Sequence, residues 1–411
     1  MKLAISPWDE LHDGVERAGQ LESFSNLRPP DGMSQERFSG IVRSAVQSAH
    51  IIVSGRPRIA IICPTIDEFT ALRGALYNTN FVPPASKMAA GFRAVAMTYR
   101  IAEVPTVDEE GTVTGRTEPV VCAHVSRQGL TSMSFAVTSL LHAFPTVNHV
   151  VLCGVAAGVP TPPPSKEEWK STLPAGKKGT KQEYHRVLLK HGETDVRLGD
   201  IVLGEAAIQF DFGKATMRGF EPRGEPIRAC EQMRSINDRL FERMKSDGER
   251  PWDTYLDSAL SFASKYRTSV VKRPKHDELW HHRLERNAND ELVIVRGEFP
   301  LPRGISAHKI PNGRPNVFRS KVGSSDMVMK DSTERDKVGR RHGVGVLEME
   351  GSAALEAAAA IGDCRGLIVR GICDYADADK NDDWWMYAAC GAAAYARCVV
   401  ERLHLQLDVS V

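Results

Sequence analysis

No apolar run in the 411 residues is long enough to span a bilayer. The first residues, Met1 to Ile5, meet Pro7, Trp8 and acidic residues before a signal-peptide core could form. The chain is therefore expected in the cytosol, with no membrane partner. Paired cysteines are missing too: Cys63, Cys122, Cys153, Cys230, Cys364, Cys373, Cys390 and Cys398 are scattered, with no Cys-x-x-Cys motif, and no histidines cluster at metal-ligand spacing. Buried free thiols are expected, with no metal and no cofactor. Neither sign of charge is in excess. Lys and Arg number 53 against 52 Asp and Glu, a net of +1, so no nucleic-acid partner is expected and any anion must be held by a local cluster.

What is present is a normal globular balance, 42% hydrophobic and 26% charged, ample for one large domain carrying insertions. Short apolar runs recur along it. Arg58-Ile59-Ala60-Ile61-Ile62-Cys63 stops at Pro64 and suits a buried parallel strand, with Thr65 as cap and Asp67 and Glu68 in the first turn of the following helix. Further strands are expected at 94–99, 120–125, 150–153, 201–203, 343–347 and 367–372. A helix is expected over Ser132 to Phe144, with Phe135, Leu140, Leu141 and Phe144 on one face and Pro145 after it. The alternation argues for an α/β sheet with helices on both faces. Residues 1–55 read as an N-terminal helical extension, including a helix from Glu36 to Ser48, and residues 56–411 as the main domain. Insertions are expected at about 160–193, which is Pro- and Lys-rich, and at about 217–315.

The most informative stretch is Gly366 to Asp377, where a β-branched run delivers Arg370 and then Asp374 at a strand end, the usual place for a ligand in an open α/β sheet. Just upstream, Val344-Gly345-Val346-Leu347 leads into Glu348-Met349-Glu350-Gly351. Glu348 reads as a solvated carboxylate favoured by the helix dipole. Glu350, flanked by Gly351, Ser352 and Ala353, has room beside it for a ligand and suits the vicinal hydroxyls of a ribose. Asp374 with Arg370 reads either as a structural turn pair or as part of a site. Cys153 to Pro160 follows a strand with small residues that let backbone amides approach a ligand, or that simply pack. Glu68 reads as an ordinary first-turn carboxylate unless the sheet sets it opposite Asp374. Trp384 to Tyr387 reads as packing for the last helix, with an aromatic lid over a base as the alternative.

Together these motifs resemble the nucleoside phosphorylase and nucleosidase superfamily, and within it the branch of methylthioadenosine and S-adenosylhomocysteine nucleosidases. The likeness runs from about Arg58 to Leu403, through five stretches in family order: Pro64 to Phe69, Gly154 to Gly158, Val196 to Val202, Gly323 to Lys330, and Glu348 to Gly351 with Arg370 to Asp374. The resemblance implies a mixed twisted sheet flanked by helices. Ile208 to Lys214 and Lys330 to Asp336 are similar to a subgroup joined to signalling modules in fungi and to bacterial antiphage systems, members of which are implicated in cleaving adenine from ATP and other adenine nucleotides.

By resemblance, Asp374 protonates the purine so that the base leaves neutral, a contribution of about 10²- to 10⁴-fold. Glu68 activates water, Glu350 grips the ribose hydroxyls, Met349 lies under the sugar, and Val328 and Met329 line the base pocket. Arg370, Val155, Ala156 and Cys373 complete the implied substrate site. This chain departs from the family in three places: Val155 stands where many relatives have serine, Ala157 replaces a glycine, and Cys373 replaces a serine beside the acid. Phosphorolytic relatives hold phosphate with glycine and arginine in the first loop, whereas Glu68 would repel it, so hydrolysis is expected. The implied substrate is an adenine nucleotide, ATP foremost, consumed as a defence effector; lysines 166–181, Lys272 to His276, Lys330, Arg335, Arg340 and Arg341 are the candidate phosphate ligands. The alternatives are a methylthioadenosine/S-adenosylhomocysteine nucleosidase and a non-catalytic nucleotide-binding module. A homo-oligomer is implied, and a regulatory protein partner would restrain an enzyme that destroys ATP.

Overall fold

A computed structural model describes residues 57–76, 80–82, 97–125, 127–160, 166–184, 186–187, 196–217, 219–267, 269–274, 281–286, 292–297, 314–361 and 364–407. The expected extension 1–55, with its Glu36 to Ser48 helix, lies outside the described residues. In chain order the elements are β1 (Ile59–Cys63), α1 (Ile66–Ala75), β2 (Asn80–Val82), β3 (Met97–Val107), β4 (Val113–Val125), α2 (Leu130–Ala143), β5 (His149–Gly158) and α3 (Lys166–Ser171). They continue with β6 (Ile201–Gln209), β7 (Gly213–Thr216), β8 (Gly219–Pro222), β9 (Ile227–Arg228), α4 (Glu231–Ser246), α5 (Trp252–Arg267), β10 (His281–Arg286) and β11 (Leu292–Gly297). The last are β12 (Val317–Ser324), α6 (Ser332–His342), β13 (Val344–Glu348), α7 (Gly351–Ala360), β14 (Arg365–Asp374) and α8 (Trp385–Leu407).

A ten-stranded mixed sheet runs β13-β12-β6-β14-β5-β1-β4-β3-β2, with β9 added beside β6. β1, β5 and β14 are parallel neighbours, while β6 runs antiparallel to β14. β13 also turns back to pair antiparallel with β5, Val346 opposite Gly158 and Leu347 opposite Ala157. Strands β5, β14, β6, β12 and β13 thus close into a ring.

The central strands are apolar throughout because helices cover both faces. Along β1, Ile59, Ile61 and Cys63 face one core with α1, α4, α5 and α8, and Ala60 and Ile62 face the other with α2 and α7. The stretch 217–315 supplies part of the first core through Met233, Ile236 and Leu240 of α4 and the fully buried Trp252 of α5. Small residues bring α8 close to the sheet: a Cβ on Gly371 of β14 would strike the Ala388 carbonyl of α8.

Two expectations are corrected. Phe135 is 56% exposed, while Leu140, Leu141 and Phe144 are buried as that helix face requires. β4 begins at Val113 rather than 120, because its first six residues form the outward part of a hairpin with β3, and that part carries no apolar run to mark it.

Candidate active site

The site is assembled where β1, β5, β13 and β14 end. After β1, Thr65 caps α1 in a reciprocal box: its hydroxyl accepts from the Glu68 amide at 3.3 Å, and Glu68 Oε2 accepts from the Thr65 amide and hydroxyl at 2.8 Å each. Glu68 Oε1 reaches across to β5 and accepts from the Val155 amide at 2.8 Å. Glu68 is buried, and that burial pushes its carboxyl above the ordinary range against the opposing pull of Arg370 and the amide donors. This approach needs a glycine, since a Cβ on Gly154 would collide with Glu68 Oε1 and Arg370 Nη1.

The end of β13 carries two carboxylates with different partners. Glu348 sits over the start of α7, accepting from the Gly351 amide at 2.8 and 2.9 Å and the Glu350 amide at 3.0 Å, and also from the Ser324 hydroxyl. It is paired with Arg370 and buried, so the expectation of a solvated carboxylate is wrong: the dipole of α7 does hold it, but away from water. Glu350 accepts from the Gly129 amide at 3.1 Å and from Arg370 Nη2 at 3.2 Å. Burial, with Arg370 opposing and the charges of Glu348 and Glu68 adding, lifts its pKa to about 7.

Arg370 is fully buried between these carboxylates, and its Nε and Nη1 have no hydrogen-bond partner among the described residues. Four residues on, Asp374 ends β14 with Oδ1 accepting from the Ala376 amide at 2.8 Å and Oδ2 accepting from Cys373 Sγ at 3.1 Å and from Lys380 Nζ. Burial and the neighbouring Asp374 charge keep the Cys373 thiol well above its usual range, so it is a packing and donor group rather than a thiolate.

One cleft is lined by Glu68, Val155, Ala156, Val328, Met329, Met349, Glu350, Cys373 and Asp374, all of them expected from the sequence. Arg370 stands behind the lining. Lys380, Gln128 and Phe210 also line it and were missed, as does Trp385, from the tract whose alternative reading was an aromatic lid. Lys380 had a faint signal, being the one cation in the acidic turn Asp377 to Asp383. Trp384, Met386 and Tyr387 are buried in the core, so the aromatic tract both packs the helix and offers Trp385 to the cleft.

The candidate phosphate ligands fare differently. Arg335 is fully buried and donates to the Tyr375 carbonyl at 2.8 Å, which corrects its reading as a phosphate ligand. Arg341 donates to the Phe220 carbonyl, and Arg273 lies over the Trp384 ring. Lys275 and His276 lie outside the described residues. Among the described residues, Lys380 is the one basic side chain in the cleft lining.

The sequence model of the phosphorylase superfamily matches residues 193–398, half of the chain, a span that holds Glu350, Arg370 and Asp374 but not Glu68. A nucleotide-binding leucine-rich repeat (NLR)-like protein of the fungus Hyaloscypha variabilis is 24% identical over 301 residues, which is 68% of this chain and 24% of that protein. The chain thus spans about a quarter of the length of this relative. Similar solved structures include futalosine hydrolase of Helicobacter pylori, at 13% identity and a TM-score of 0.45 over 84% of this chain and 97% of that one. They also include the 5′-methylthioadenosine/S-adenosylhomocysteine nucleosidase of the same organism, at 12% identity and 0.46 over 84% and 98%. The nucleosidase of Neisseria meningitidis in complex with methylthio-immucillin-A matches at 14% identity and 0.44 over 84% and 98%.

Proposed function

The chain belongs to the phosphorylase superfamily, and from that premise we propose that it is a purine nucleosidase that hydrolyses the N-glycosidic bond of an adenine nucleotide, with ATP the foremost substrate. The observation that carries the reading is the convergence of Glu68, Glu350 and Asp374 on one cleft whose other walls include Val328, Met329, Phe210 and Leu347. The apolar walls suit a flat base, and the carboxylates suit the positive charge that builds on the sugar as the bond to the base breaks.

In this reading Asp374 delivers a proton to the ring nitrogen beside the glycosidic bond, so the base leaves neutral. Glu350 accepts from the ribose hydroxyls with the lone pairs that Gly129 and Arg370 leave free, and Met349 lies under the sugar. Glu68 takes the proton of the attacking water; burial raises its pKa and so makes its carboxylate a stronger base than an exposed one. Arg370, with Nη1 unpartnered beside Glu68, holds a positive charge against that carboxylate from behind the cleft lining.

Hydrolysis is favoured over phosphorolysis by the same contacts. The Thr65 and Val155 amides are both committed to Glu68, so neither is left to donate to a phosphate. We further infer, from the resemblance of Ile208 to Lys214 and Lys330 to Asp336 to the signalling and antiphage subgroup, a role as a nucleotide-depleting effector under the control of a partner. A second reading, a methylthioadenosine-type nucleosidase, is supported by the cleft mouth, where Met327 and Val328 are each 58% exposed and suit an apolar 5′ group. A homo-oligomer is part of the same proposal, and light scattering would test it.

The deciding experiment incubates the full chain with ATP, AMP, adenosine and methylthioadenosine in phosphate-free buffer and follows free adenine by chromatography. Adenine from ATP is the expected result. Release from methylthioadenosine alone would replace the first reading with the second, and a strict need for phosphate would overturn hydrolysis.

A further inference from the structure

Six residues past Asp374 the chain turns back on it, and Lys380 Nζ contacts Asp374 Oδ2. The lysine side chain keeps 20% of its exposure, against 4% for the aspartate. The turn between them is held from several sides. Ala376 adopts a φ of +52°, its amide fixes Asp374 Oδ1 at 2.8 Å, Arg335 Nη1 donates to the Tyr375 carbonyl, and the Lys380 amide donates to the Asp377 carbonyl at 3.2 Å. A left-handed backbone at a residue with a Cβ costs about 1–3 kcal/mol and persists only where surrounding contacts enforce it. Lys380 is thus placed, and it is placed in the cleft.

The pair has a chemical consequence. In a carboxylate–ammonium pair the proton resides on nitrogen, so a proton leaving the pair for a substrate originates on the lysine. We infer that Lys380 is the proton store behind Asp374, a deepening of the nucleosidase reading on which it rests. The N–H bond of the ammonium breaks as an O–H bond forms at Asp374 Oδ2. That bond breaks in turn as an N–H bond forms on the purine, the electron pair of the glycosidic bond staying with the base. The neutral amine then recovers a proton from solvent along its exposed flank. Lys380 acts through Asp374, as a positioning residue. The groups that face it are Asp374, Cys373 and Asp382; burial weakens the ammonium, and the charge and hydrogen bond of Asp374, together with Cys373 and Asp382, outweigh it and raise the lysine above its usual range.

The test is Lys380→Arg beside Lys380→Met in the full chain, on whichever substrate the unaltered protein cleaves. Arginine keeps the charge and the contact but does not give up its proton. Both variants are expected to lose about 100-fold or more in kcat with KM little changed, and both should lose the alkaline fall of kcat that the lysine imposes. Wild-type kcat in Lys380→Arg would overturn the proposal, because charge alone would then suffice. If Lys380→Met melts early, Lys380→Arg still decides. An unaltered protein that releases no base from any of the four substrates would overturn the nucleosidase reading itself, an outcome distinct from an active enzyme with an active arginine variant.

Discussion

Arg370 and Glu68 meet across Gly154, where a single added methyl group would strike Nη1 of the one and Oε1 of the other. Gly154→Ala is therefore expected to push the two apart, losing base release at least as severely as removal of Glu68 itself. Stability should fall by about 1–3 kcal/mol, the usual result of overpacking. Urea melts alongside adenine release would check both parts, and normal activity in this variant would contradict the assignment of the pair to the site.

Asp374→Asn keeps an acceptor for the Ala376 amide but cannot carry the proton. Base release should drop by about 10²- to 10⁴-fold, with nucleotide binding by calorimetry little affected. Retained turnover would move the acid elsewhere; retained biological output without turnover would favour a binding module.

Glu68→Gln leaves an oxygen to accept from Val155 but turns its amide nitrogen toward the Thr65 amide and hydroxyl, so folding stability should fall by about 1–3 kcal/mol. Turnover should fall by about 100-fold or more, and added phosphate should not restore it. Phosphate rescue would show that the carboxylate alone had been excluding phosphorolysis.

Glu350 gives the chain a pH signature. Its folded pKa of about 7 lies above the ordinary 4.5, so its contribution to stability is fully present below pH 4.5 and is lost as pH rises through about 7. The difference is on the order of 3 kcal/mol. Comparing wild-type and Glu350→Gln melts between pH 4.5 and 8 isolates it: the wild type should lose stability relative to the variant as pH rises. Substrate affinity runs the other way. Below pH 7 the protonated carboxyl is a poorer acceptor for ribose hydroxyls, so KM should climb as pH falls, and it should be flat in the variant.

Arg335→Met tests the correction made to that residue. Because its guanidinium holds the Tyr375 carbonyl from inside the fold, the loss should appear as about 2–4 kcal/mol of stability. A rise in KM for ATP with no matching rise for adenosine would argue against that placement.

The legible part of this protein was what lies close in sequence. Thr65 with Glu68, and the strand ends carrying Glu350 and Asp374, are set by local rules of capping and strand termination, and the cleft gathers them. What escaped depends on partners far along the chain. Glu348 read as solvated because nothing nearby announces that Ser324 and Arg370 will close on it. Arg335 read as a phosphate ligand because a helix with several basic residues does not say which one turns inward. Lys380 was hidden in a polar turn whose shape rests on the left-handed Ala376 and on Arg335. The early part of β4 has no apolar alternation to betray it, since it is paired with β3 but faces solvent.

The ring made when β13 returns to β5 has a mechanical meaning. Val155, Asp374 and Glu348 sit on three strands of one hoop, and a hoop without a free end shares any distortion among all its members. Asp374 and Glu348 are therefore fixed relative to each other before a substrate arrives. Adjustment to different substrates falls to exposed lining residues off the hoop, Gln128, Met327 and Val328, so variation in what is cleaved should arise there while the spacing of the carboxylates stays constant.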